Sequence, residues 1–366
     1  MHKFTTIFSS IFSFLAMFAR KTEKLYKMRT LPCTLIIFAL LTTIGIHAQK
    51  QKHYSIGFYN LENLFDTIHA EGKNDYEFLP KAVNEWTSKK YDCKIKNMAS
   101  VLAEIGTEVQ PAGAAIIGVC EVENSNTIDD LLKTKALSRR AWKYIHRESK
   151  DSRGIDCALL YNPKEFHPTT TQLVPYKNSG GSRHRTRGFL VVGGTLAGEQ
   201  IHIIVNHWPS RYSKSPSRER AATQVKALKD SIVRLHPDTK MIIMGDFNDN
   251  PDNISLKDSL QARRNIAEAK AAHDLYNPFW DILRKEKRGS LKYRDRWQMY
   301  DQIIISGNLC SNKKRGLKFH KSEIHTRPHI MNASGKYKGY PKRTHADGKW
   351  LNGYSDHLPV VIYLTK

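Results

Sequence analysis

The sequence predicts an α/β fold in a single domain, on three observations. Short apolar runs of strand character alternate with stretches of helical spacing along the chain, as expected where helices cover sheets. No internal repeat and no linker of altered composition divides it. A chain of 366 residues with 40% hydrophobic and 25% charged side chains can bury a sizeable core, which excludes collagen-like, low-complexity and wholly disordered classes.

The elements follow in order. Residues 31–46 form an apolar run, shorter than the roughly 20 residues of a spanning helix. Met28-Arg29 precedes it as a small basic stretch, and Ala48 offers a small residue for a signal peptidase. This places the true start at Met28, a leader over residues 1–48, and the mature N-terminus at Gln49, with 49–366 as the domain. The chain is then secreted, periplasmic or held at the cell surface, with no stable membrane span in its mature form. The competing reading, a membrane anchor, is disfavoured by the length of the run. The apolar stretch 4–18 reads as upstream coding sequence or part of a long leader.

Residues 54–59 alternate as a strand, and Ile95, Met98, Leu102 and Ile105 set a helix over 94–105. Strands are expected at 114–120, 155–161, 188–195 and 201–206. Ser215-Pro216 opens a helix to residue 235 whose apolar stripe is Ala221, Val225, Leu228, Ile232 and Leu235. Buried strands are expected at 241–244, 302–305 and 359–364. The Lys-, Arg-, Gly- and His-rich stretch 283–350 reads as long exposed loops around the strand at Ile303. Beyond Cys33 of the leader, Cys93, Cys120, Cys157 and Cys310 form no Cys-x-x-Cys and no Cys/His cluster, which argues against structural zinc. Export permits disulfides, but Cys120 and Cys157 lie in apolar runs and read as buried free thiols.

Polar clusters stand at the ends of these strands: Asn60-Leu-Glu62 after the first, Glu121 after the second, Asn206-His207 after 201–206, and Gly245-Asp246-Phe247-Asn248 after 241–244. Asp301 precedes 302–305, and Ser355-Asp356-His357 precedes the last strand. Strand ends are rigid, so they can converge on one cleft. Asp, Glu and Asn oxygens suit a hard divalent cation, and adjacent histidines suit phosphate binding and proton transfer. Together they read as metal-assisted hydrolysis of a phosphoester. Each piece alone is common in ordinary turns; the ordered combination is specific.

That order resembles the endonuclease/exonuclease/phosphatase superfamily with the pancreatic-deoxyribonuclease-like fold, over residues 53–364, most specifically in Gly-Asp-Phe-Asn and Ser-Asp-His-Leu-Pro-Val. The resemblance implies a four-layer α/β sandwich: two packed mixed β-sheets flanked by helices, with the cleft at one edge. It implies Mg²⁺, or Mn²⁺ or Ca²⁺, held principally by Glu121, with Asn60, Asp356 and Glu62 completing the shell. It further implies that Asp246 holds or deprotonates the attacking water and Asn248 orients it or the phosphate. His357 contacts the scissile phosphate, Asp301 fixes the His357 tautomer, and His207 stands on the leaving-group side with Asp156 as its carboxylate partner. Arg187 lies where relatives carry a phosphate-contacting arginine; an ordinary strand-edge charge is the equal alternative.

Charge bears on the substrate. Lys and Arg total 58 against 35 Asp and Glu, a net +23. The leader holds six of the bases and one acid, so the remainder stays at +18. Such a surface favours polyanions. The stretches 293–297, 312–318 and 336–343 interleave Lys and Arg with aromatic or apolar residues near the site motifs, a pattern suited to phosphate neutralisation and base stacking. A secreted, weakly sequence-selective nuclease is therefore expected, monomeric and without a protein partner. The alternatives are a hydrolase of a phospholipid, inositol phosphate or other small phosphoester, and a non-catalytic binding protein. No long apolar loop suited to a bilayer weakens the lipid version, and the complete set of site residues weakens the last.

Overall fold

The computed structural model describes residues 51–179, 186–269, 271–311, 316–346 and 348–366; the leader and the basic residues 312–315 lie outside the described residues. Chain order begins β1 (His53–Leu64), α1 (Ser88–Glu104), β2 (Ile116–Val122), α2 (Ser125–Lys133), β3 (Lys143–His146) and β4 (Asp156–Tyr161). It continues β5 (Phe166–Val174), β6 (Phe189–Leu196), β7 (Glu199–His207), α3 (Ser215–Leu235) and β8 (Lys240–Asp246). The last third holds β9 (Ala262–Arg263), β10 (Leu275–Tyr276), α4 (Trp280–Arg284), β11 (Leu291–Tyr293), β12 (Arg296–Gln298) and β13 (Asp301–Ser306). β14 (Lys318–Ile324), β15 (His345–Ala346), β16 (Lys349–Trp350) and β17 (Val360–Thr365) complete it.

Two large sheets form, with strand orders β14-β17-β1-β2-β4-β3 and β5-β6-β7-β8-β13-β10-β9. Both are mixed: β1 with β2 and β7 with β8 run parallel, while β17, β4 and β13 pair antiparallel with their neighbours. The sheets pack face to face, closely enough that a Cβ on Gly118 of β2 would meet Met244 Sδ of β8 at 2.5 Å. On the first sheet α1 buries Ile95, Met98, Val101 and Leu102. Against the second, α3 buries Ala221, Ala222, Val225 and Ile232 in a cluster with Ile204, Met241 and Ile243. Four layers result, as expected from the resemblance. Burying each such Leu, Ile, Val or Met side chain contributes roughly 1.5–3 kcal/mol.

The stretch expected to be loops, 283–350, is more ordered than that reading. It carries the β11–β12 hairpin, the short β15–β16 pair and β14, which forms one edge of the six-stranded sheet. Cys120 and Cys157 face each other across β2 and β4, buried with unpaired thiols, as read from the sequence. Among the described residues, no helix is long and apolar enough to cross a membrane.

The glycine of Gly-Asp-Phe-Asn has a steric reason. Asn206 and Gly245 are partners across parallel β7 and β8, and a Cβ on Gly245 would lie 2.3 Å from the Asn206 carbonyl oxygen. Gly245→Ala must push β8 away from β7 immediately before Asp246. It is expected to lower stability by about 1–3 kcal/mol in denaturant titration, with a loss of activity that persists under conditions where the variant is fully folded.

Candidate active site

Register explains the convergence. His207, Asp246 and Asp301 are successive partners across β7, β8 and β13, so their side chains leave one row of the second sheet on one face. The first sheet contributes through irregularities. β1 and β2 lose register between Asn60 and Leu64 and between Cys120 and Val122. Glu62, Asn63 and Glu121 there adopt left-handed φ values of 47°, 54° and 61°, and Asn248 beyond β8 has φ 52°. Non-glycine residues in this region cost on the order of 1–3 kcal/mol each and persist where surrounding contacts over-determine them. Those contacts are present. Glu62 N donates to Asn60 Oδ1 at 2.9 Å, Asn63 N to Glu121 Oε2 at 2.9 Å, and Asn248 N to Asp246 Oδ1 at 2.9 Å.

Asn60 joins the sheets. Its Nδ2 donates to Glu121 Oε1 and Asp246 Oδ2, both at 3.1 Å. His207 Nε2 lies 3.6 Å from Glu121 Oε1 and 3.8 Å from Asp246 Oδ2. His357 Nδ1 contacts Asp301 Oδ2 at 2.6 Å, and its Nε2 stands 3.9 Å from both Asp246 Oδ2 and Asp356 Oδ1. Ser355 Oγ fixes this last segment, donating to the Asn60 carbonyl at 2.7 Å and accepting from His357 N at 3.1 Å.

Burial and charge separate the two histidines. Burial, reinforced by Arg187 and Arg153, holds His207 well below the usual imidazole range, so its ring is neutral. Burial also opposes charge on His357, but Asp301 and Asp246 outweigh it and carry its pKa well above that range. Asp246 is raised to about 7, by burial first and also by Asp301 and Glu121, against the pull of His357.

The expected residues Asn60, Glu121, His207, Asp246, Asp301, Asp356 and His357 thus meet in one site. Several finer assignments change. Glu62 gives its carboxylate to Arg343 Nε at 3.1 Å and Thr344 N at 2.8 Å, and Arg343 Nη2 also reaches Asp356 at 3.2 Å. A guanidinium therefore stands where the sequence reading put a cation between Glu62 and Asp356. Asn60 presents Nδ2 rather than Oδ1 to the carboxylates and acts as their donor. Asp156 is not the partner of His207. It bonds His146 Nε2 at 3.0 Å and Ser149 N at 2.9 Å, while His207 Nδ1 is buried without a hydrogen-bond partner. The reason is β3, which the sequence reading lacked and which brings His146 beside the start of β4. Arg187 is buried, with Nη1 on Asp151 Oδ2 and Nη2 on the Trp208 carbonyl, each at 3.1 Å, so it builds the wall behind His207 rather than reaching out to phosphate. Asn248 Nδ2 is likewise bound to the Trp208 carbonyl at 3.1 Å, and the residue acts chiefly by holding Asp246 through its backbone.

Three contributors were missed. Arg343 is expected only as part of the phosphate-neutralising run 336–343, not as the partner of Glu62 and Asp356. Ser290 Oγ accepts from Asp301 N at 3.0 Å and had no distinguishing context. Lys94 did carry a signal: it falls on the buried stripe of α1 with Tyr91, Met98 and Val101. Its Nζ donates to Thr344 Oγ1 at 2.6 Å and the Tyr354 carbonyl at 2.5 Å, tying down the segment that carries Arg343.

The donor set fits a hard divalent cation. Ligand atoms of Glu121, His207 and Asp246 lie within 4.8 Å of one another; those of Asp246, Asp301 and His357 do as well, but the charged His357 ring has no lone pair for a cation. Asp246 is raised by burial first and then by Asp301 and Glu121, and a cation beside it would favour its charged form.

Sheets packed face to face, with carboxylates, amides and imidazoles gathered at their strand ends, define a metal-dependent phosphoester hydrolase. The chain belongs to the Endonuclease/Exonuclease/phosphatase family, which it matches over residues 55–366. Solved structures agree on the fold. Humanized D. rerio TDP2 superposes with TM-score 0.53 at 11% identity, covering 86% of this chain and 99% of that one. A Bacteroides thetaiotaomicron mannosyl-6-phosphatase gives 0.52 at 16%, covering 85% and 99%. ANGEL2, a 2′,3′-cyclic phosphatase, gives 0.55 at 11%, covering 86% and 95%. No curated protein matches the sequence significantly.

Proposed function

We propose that the chain is an exported, Mg²⁺-dependent nuclease of low sequence selectivity, acting as a monomer on DNA or RNA. The observation that carries this reading is where the basic–aromatic segments fall. Residues 291–294 line one pocket with Tyr337, Tyr340, Pro341, Arg343 and Asp356, so Lys292, Tyr293, Arg294, Tyr340 and Arg343 share a pocket with one residue of the site. A net charge of +18 beyond the leader adds long-range attraction for a polyanion. Support for export is the apolar run 31–46 and the small residue at Ala48.

The residues divide the work. Asp301 accepts Nδ1–H of His357, which leaves Nε2–H as a charged donor to a phosphoryl oxygen, where it stabilises developing negative charge. Asp246, held by Asn60 and the Asn248 backbone, takes the proton of an attacking water. Neutral His207, with Nε2 toward Glu121 and Asp246, can offer its N–H as a hydrogen bond to the leaving oxygen, which takes its proton from water. Glu121, flanked by Asp246 and Asp356, would hold the cation. When bound, the ion supplies Lewis-acid polarisation of the phosphoryl group.

The test is to incubate the protein with plasmid DNA, RNA, sphingomyelin and soluble phosphate monoesters, with Mg²⁺ or with EDTA. Nucleic-acid cleavage abolished by EDTA is expected. Monoester or sphingomyelin turnover without nucleic-acid cleavage would replace the nuclease reading with the small-phosphoester one.

A further inference from the structure

The β11–β12 hairpin is built more rigidly than a solvated loop requires. Tyr293 and Arg296 pair across a two-residue turn in which Arg294 and Asp295 have φ 46° and 59°. Two-residue hairpin turns of this kind favour Asn-Gly, because both central residues are left-handed; Arg-Asp carries strain. The strain is held by a lock. Asp295 N donates to Tyr340 Oη at 2.7 Å, and that hydroxyl donates back to Asp295 Oδ1 at 2.9 Å. Lys292 Nζ is fixed over two rings, 4.7 Å from the Tyr340 centroid and 5.8 Å from that of Trp297. At its base the hairpin is anchored to the reacting groups: Leu291 forms an antiparallel bridge with His357, and Leu358 N donates to the Ser290 carbonyl at 2.7 Å. A strained turn pinned at its tip and seated on His357 is a device for holding side chains in place.

Those side chains line a pocket of about 370 Å³ that opens beside Asp356 and Arg343. Its walls combine three tyrosines with Leu291, Pro341 and Leu351, and its charges are Lys292, Arg294 and Arg343 against one acid, Asp356. That volume lies at the lower end for small-ligand sites and suits one nucleoside-sized group. A ring entering it meets aromatic faces while the adjoining phosphates meet Lys292, Arg294 and Arg343. A base still paired in a duplex has its hydrogen-bonding edge covered by its complement, and its ring faces by neighbouring pairs, so it cannot enter.

Resting on the nuclease reading, we infer that this pocket takes one unpaired base next to the scissile phosphate, so that the substrate is single-stranded nucleic acid or an unpaired end rather than continuous duplex. The base stacks on the tyrosines and the hairpin sets its distance from His357.

The experiment compares kcat/KM on a single-stranded oligonucleotide, on the same oligonucleotide annealed to its complement, and on bis(p-nitrophenyl) phosphate. The wild-type protein and Tyr293→Ala are assayed, with Mg²⁺ present. Tyr293 is 57% exposed, so its truncation opens no core cavity. The wild type is expected to prefer the single strand over the duplex by about tenfold or more. Tyr293→Ala is expected to lose about 10- to 100-fold on the single strand, the range for one base–aromatic stack, and much less on the small diester. The ratio of the two losses is independent of the fraction of enzyme folded. Equal cleavage of single strand and duplex, or equal losses on oligonucleotide and small diester, overturns the pocket assignment while leaving the nuclease reading intact. Turnover of the small diester with no cleavage of either nucleic acid overturns both.

Discussion

Asp246→Asn is expected to lower kcat about 10³-fold, within the range for removal of a positioned general base. The side chain is the common neighbour of the site: Asn60 Nδ2 and Asn248 N donate to it, and Nε2 of both His207 and His357 faces it within 4 Å. An amide keeps the shape and can still accept from Asn248 N, at the cost of the Asn60 Nδ2 bond to the other oxygen, but cannot accept a proton near neutrality. Fold is expected to survive, because a buried carboxylate whose pKa is raised to about 7 opposes folding wherever it is charged. At pH 8 the cation-free variant should therefore melt no lower than the wild type. Retention of wild-type kcat would remove Asp246 from the reaction; a lower melting temperature would show that its charge is compensated more fully than the geometry indicates.

The second large effect is the coupling of cation, proton and stability. Asp246 is raised from 3.8 and Glu62 from 4.5, both to about 7, by burial in each case and then by neighbouring carboxylates. With folded-state values above the unfolded ones, the folded chain holds more protons between about pH 4 and 7. Their contribution is fully present below pH 4 and is lost as pH rises through 7, leaving crowded anions. A divalent cation held by Glu121 and Asp246 competes with the proton on Asp246, whereas Glu62 faces Arg343. The gain in melting temperature on replacing EDTA with saturating Mn²⁺ should thus be small at pH 5.5 and reach roughly 5 °C or more at pH 8. Differential scanning calorimetry at the two pH values measures it. A gain independent of pH would mean that the ion binds elsewhere.

Much of this was legible in the sequence because central strands advertise themselves. Runs such as Ile116-Ile-Gly-Val and Met241-Ile-Ile-Met are apolar because both faces of a central strand are covered. Each ends in the polar residue it delivers to the cleft. The edges were not legible. β14 reads KFHKSEI, β5 reads FHPTTTQLV with a proline, and β3 is four residues without full burial. Such strands are half solvated, and charge and proline are what keep exposed edges from pairing with other chains. Missing β3 led directly to the wrong partner for Asp156. The pairing of Glu62 with Arg343 was hidden for a different reason: Arg343 lies 281 positions away, and only the tertiary structure brings them together.

The reacting groups are divided between the two sheets, with Asn60 and Glu121 on one and His207, Asp246 and Asp301 on the other. The separation between them is set by contacts such as Met244 against the bare backbone of Gly118. The interior therefore serves as a spacer gauge for the chemistry. A methyl group added at Gly118, or a sulfoxide on Met244, would detune turnover without touching any atom that meets substrate.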